Sequence, residues 1–134
     1  MKKAARGYTL FVGYFLLIQG SFTLLFNLVP ALDHGFPYLL RYNPMSPLHS
    51  VLHTSTGILA MISLYRFPSK GPLWFAFLFG VFYSSLGYFG PHVHEALHLH
   101  LQNYDHSIHF VIGMGGIVAA FVSAQASNKT PTPL

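Results

Sequence analysis

The chain contains no cysteine, which excludes disulfides, thiolate metal ligands and iron–sulfur clusters. It has almost no acidic residues: Asp33, Glu95 and Asp105 are the only three. Charge of either sign is scarce, at 7% of residues against about 25% in a soluble domain. A soluble fold of this composition would lack polar groups to cover its surface. The net charge of +4 comes from a few scattered residues, so nucleic-acid binding is not indicated. Apolar residues make up 52% of the 134 positions, a length suited to one domain residing in a membrane.

Four apolar runs are long enough to cross the bilayer core as helices: residues 7–29, 48–65, 72–89 and 107–126. The expected fold is therefore all-α, an integral membrane four-helix bundle occupying residues 1–134. Prolines punctuate the connections at positions 30, 44, 47, 68, 72 and 91, because proline lacks the amide a continuing helix needs. The first run is too long for the apolar stretch of a cleaved secretory signal and is read as a retained helix. Lys2, Lys3, Arg6, Arg66, Lys70 and Lys129 flank one side of the bundle, and Arg41 alone lies on the other. The positive-inside rule then puts both termini and the second loop on the cytoplasmic side of the membrane. All nine histidines fall on the opposite, outer side: His34, His49, His53, His92, His94, His98, His100, His106 and His109.

The chain reads as two tandem helical hairpins. Gly13 and Gly20 in the first run are spaced like Gly80 and Gly87 in the third. In the second run His53 precedes Gly57 by one helical turn, and in the fourth His109 precedes Gly113 in the same way. Small residues such as Gly113, Gly116, Ala120 and Ala124 suit close packing between membrane helices. Packing does not explain a histidine at matching places in both halves, since an ionisable group within a span is costly.

The stretch from Leu48-His49 to Gly57, its echo from Asp105-His106 to Gly113, and the polar Asn43 and Asp105 before the membrane support a family resemblance. In these the chain resembles a family of small bacterial four-helix membrane proteins, domain of unknown function 4383. The resemblance implies the architecture and no chemistry, because that family has no established activity.

Three pairs of histidines share helix faces: His49 with His53, His94 with His98, and His106 with His109. Neutral imidazole is the commonest protein metal ligand. A site rich in imidazole and poor in carboxylate suits a transition metal, zinc, copper or iron, better than calcium or magnesium. The expected ligands are thus His49, His53, His106 and His109, with His94 and His98 as auxiliaries. His53 and His109 also have the placement of two axial ligands for a non-covalent haem or pigment, the less favoured cofactor. His94-Glu95-Ala96-Leu97-His98 spells the zinc-protease motif H-E-x-x-H. One protease class needs a glycine where Leu101 stands and a histidine where Tyr104 stands, and no second glutamate exists to complete another. No catalytic residue is assigned, and the enzyme reading leans to no. The competing reading is a structural or accessory subunit whose histidines pack against a membrane-protein partner, a second copy of the chain, or one another.

Overall fold

A computed structural model describes residues 3–35, 45–93 and 101–128. The described residues are helical, with no strand among them. The helices are α1 (Lys3–Leu28), the short α2 (Pro30–Gly35), α3 (Pro47–Tyr65), α4 (Gly71–Val93) and α5 (Asn103–Asn128). The short α2 is additional to the four expected from the apolar runs. Pro30 ends α1, since it offers no amide to continue the ladder. Ser46 caps α3 by accepting from the His49 amide at 3.2 Å, and Pro47 occupies the first turn, where a missing amide is harmless. Asp105 starts α5 by accepting from the Gln102 amide at 2.7 Å, a negative charge placed at a helix N-terminus.

One boundary differs from expectation. The third apolar run was expected to stop at residue 89, with Pro91 in the connection that follows. Instead α4 continues through Pro91 to Val93. So close to a helix end, a proline removes a single ladder bond without breaking the helix.

Among the described residues, three helices are long and apolar enough to cross a membrane: Lys3–Leu28, Gly71–His92 and Asn103–Ala126. The helix α3 is not among them, and its side chains show why. Its polar residues His49, Ser50 and His53 are buried at 1%, 0% and 5% exposure, while Val51, Ile58, Leu59 and Ile62 point outward. Outward-facing apolar side chains cover the rest of the bundle too, among them Phe11, Phe22, Val111, Val118 and Phe121. Exposed apolar surface on this scale is the mark of a protein in contact with lipid.

The helix α1 packs along α3, and α4 along α5. Glycine permits both approaches. In the first pair Gly20 lies on the Thr54 backbone and Gly57 on Leu17; in the second Gly87 lies on Phe110 and Gly113 on Ser84. A Cβ at any of these glycines would come under 3.0 Å from a neighbour, closer than real side chains pack. The two sets correspond residue by residue, as the spacing of the glycines predicts. Burial follows the same register, with Val12, Gly13, Leu16 and Gly20 matched by Phe79, Gly80, Tyr83 and Gly87.

The hairpins meet through α1 against α4 and α5, and through α3 against α4. At the end near the N-terminus, three hydrogen bonds join them: Ala5 N to Ser123 Oγ (2.8 Å), Tyr8 Oη to Ile112 O (2.6 Å) and Thr9 Oγ1 to Pro72 O (3.1 Å). Each contributes about 1 kcal/mol net. Midway, Val12, Leu16, Phe79 and Tyr83 form a shared core. Within it Phe79 stacks on Tyr83 with ring centroids 4.1 Å apart, worth about 1 kcal/mol beyond area burial. Above this core, toward the far end, Leu52 packs on Leu86 and Leu101, and the remaining contacts between hairpins involve histidine.

Candidate metal centre

His49 and His53 occupy the first two turns of α3, and their i, i+4 spacing keeps both on its buried face. His109 occupies the corresponding part of α5 and is buried to 3% exposure. The helices α3 and α5 are the long pair in least contact, diagonal across the bundle. The three rings meet on that diagonal, with centroids 4.5 Å apart for His49–His53, 5.7 Å for His49–His109 and 6.0 Å for His53–His109.

One nitrogen from each of the three rings lies within 4.8 Å of the others. His49 Nε2 and His53 Nε2 are 3.1 Å apart. That separation fits an N–H···N hydrogen bond. It also fits two ligands of one ion, since tetrahedral zinc bonded at 2.0–2.1 Å sets its ligand nitrogens about 3.3 Å apart. The other nitrogens are unequally served. His53 Nδ1 is 3.2 Å from Gln19 Oε1 of α1. The Nδ1 atoms of His49 and His109 are buried with no hydrogen-bond partner among the described residues. Tyr83 closes the site from below, its ring edge-on to His109 at 5.0 Å.

The structure thus brings together three of the six residues expected as metal ligands. His106 is buried at 7% exposure, yet its ring lies over Gly90 of α4, away from the three-histidine group. In the repeat His106 matches Ser50, whose hydroxyl donates to Thr23 of α1 at 2.9 Å. Both residues face the partner helix of their own hairpin. His94 and His98, with Glu95 and His100, lie outside the described residues, as do the side chains of Asp33 and His34. Asp105 accepts from the Gln102 amide at the start of α5.

Gln19 and Tyr83 were not singled out from the sequence. Gln19 did carry a signal, an amide isolated in an apolar run, where a polar group needs a partner on another helix. Tyr83 was one of several aromatics on its helix and carried none.

Comparison with protein-family models, curated proteins and solved structures finds no match to this chain. A role for the cluster therefore has to come from its own chemistry. Three buried imidazoles can hold one borderline or soft divalent ion and leave a fourth position for water or another ligand.

Proposed function

We propose that the protein is a four-span membrane protein that binds a transition metal, zinc, copper or iron, through His49, His53 and His109. The observation that carries this reading is the convergence of three buried imidazole nitrogens within 4.8 Å, supplied by two helices otherwise little in contact. Burying three imidazoles this way is unfavourable without partners, and an ion held at the converging nitrogens would give each ring one. The outward apolar face of α3 supports counting it as the fourth span, with His49, Ser50 and His53 turned to the interior. The Lys and Arg distribution supports an outer-face position for the cluster in a bacterial plasma membrane. Kinship with the domain of unknown function 4383 family belongs to the same proposal and bears on architecture alone.

Haem ranks lower. With His49 at 4.5 Å from His53 and 5.7 Å from His109, a macrocycle between the two would collide with its ring. A structural or accessory subunit is the second reading, favoured by one observation. The His49–His53 contact at 3.1 Å, made within one helix, satisfies both Nε2 atoms as a plain hydrogen bond and needs no metal.

Elemental analysis of untagged protein separates the two. The metal reading predicts about one equivalent per chain, and loss of the metal from the His53→Ala/His109→Ala double variant. Metal far below one equivalent in the wild type favours the accessory-subunit reading.

A further inference from the structure

We infer that Gln19 is the positioning residue of this site: it fixes His53 in one tautomer and so sets the proton arrangement of the cluster. The inference rests on the metal reading for its functional meaning, and on hydrogen-bond chemistry for its structural content.

An amide oxygen can only accept a hydrogen bond. Gln19 Oε1, 3.2 Å from His53 Nδ1, therefore requires the proton of His53 to sit on Nδ1. Neutral imidazole carries one N–H, so His53 Nε2 is left with its lone pair. That atom faces His49 Nε2 at 3.1 Å, a contact that needs one proton between the two nitrogens. His53 cannot supply it, so His49 does, from Nε2–H. The remaining nitrogen of His49, Nδ1, then bears a lone pair in a buried position without a donor among the described residues.

A metal ion entering the cluster would replace the single proton between the two Nε2 atoms. His53 needs no change to receive it, because its lone pair already points inward. His49 has to move its proton from Nε2 to Nδ1. Ligating histidines usually donate their second N–H to an oxygen that fixes the ring, and Gln19 does this for His53.

The repeat shows that this arrangement is particular to the first hairpin. In the register that matches Gly20 with Gly87, Gln19 corresponds to Leu86, and His53 to His109. No amide serves His109 as Gln19 serves His53, and its Nδ1 is buried without a hydrogen-bond partner among the described residues. The first hairpin carries a pre-set ligand pair, and the second contributes the ligand that closes the site.

Histidine side-chain ¹⁵N NMR of the full chain in micelles, metal-free, tests the inference directly. His53 is expected with Nδ1 protonated and Nε2 bare. Gln19→Leu should shift it toward the opposite tautomer, whereas Gln19→Glu, which keeps an acceptor of the same reach, should preserve it. Zinc titration of the same proteins should show affinity about 10–100-fold weaker in Gln19→Leu, with Gln19→Glu recovering most of the loss. An Nε2–H tautomer of His53 in the wild type would overturn the inference, as would a tautomer unchanged in Gln19→Leu. If wild-type protein with the expected tautomer takes up no zinc, the metal reading fails while the role of Gln19 stands.

Discussion

Replacing Gly113 by alanine adds one methyl group, and the structure predicts that it pries α4 from α5. The new Cβ would meet the backbone amide of Ser84 first, with Ser84 Oγ at 2.5 Å and the Gly80 carbonyl oxygen at 2.8 Å. Ordinary contact begins at 3.4 Å, so the helices must part by about 1 Å. Overpacking of this kind costs about 1–3 kcal/mol, and two backbone neighbours that cannot rotate away put Gly113→Ala at the upper end. Alanine's better helix propensity returns up to about 1 kcal/mol, leaving a net loss of about 1–2 kcal/mol. Gly115→Ala is the matched control, because its Cβ would meet only Tyr8 Cε2, at an ordinary 3.5 Å. It receives the propensity gain with no steric charge against it and should be neutral or slightly stabilising. Thermal unfolding in detergent reads both. A second replacement, Ser84→Gly, should not rescue Gly113→Ala, since the nearest obstacle is a backbone nitrogen. His109 lies one turn away on α5, so Gly113→Ala should also weaken metal retention. Equal unfolding temperatures for Gly113→Ala and Gly115→Ala would refute the packing argument.

Tyr8→Phe should lower stability by about 1 kcal/mol, because it removes the 2.6 Å bond to Ile112 O and leaves that carbonyl unsatisfied by Tyr8. Chemical unfolding in mixed micelles measures it, and an unchanged midpoint would show that the bond adds nothing to hairpin association. His106→Ala should leave the metal content intact, because His106 packs on Gly90, whereas His49→Ala should lose the metal. The reverse order of sensitivity in a metal assay would move the site to the α4–α5 hairpin.

Helices and their register were legible in the sequence because apolar runs, prolines and glycines each act locally. Gly20 and Gly87, well inside their helices where glycine costs stability, mark close helix contact. The site was legible in part. A spacing of i, i+4 turns the second histidine by only about 40° around the helix, so His49 and His53 share the inward face. The i, i+3 spacing of His106 and His109 turns the ring about 60° the other way, enough to face Gly90 in place of the bundle centre. Gln19 escaped notice because it has no counterpart in the repeat, where Leu86 holds its place. The shortfall of α3 in apolar character has the same root as the site: its first two turns spend their inward positions on His49, Ser50 and His53.

Metal-edge X-ray absorption on protein loaded with zinc tests the central claim most directly. The account predicts three imidazole nitrogens at about 2.0–2.1 Å with one oxygen in the fourth position, and loss of that signature in His53→Ala/His109→Ala. A shell made of oxygen alone, or a spectrum that the double variant leaves unchanged, would contradict it.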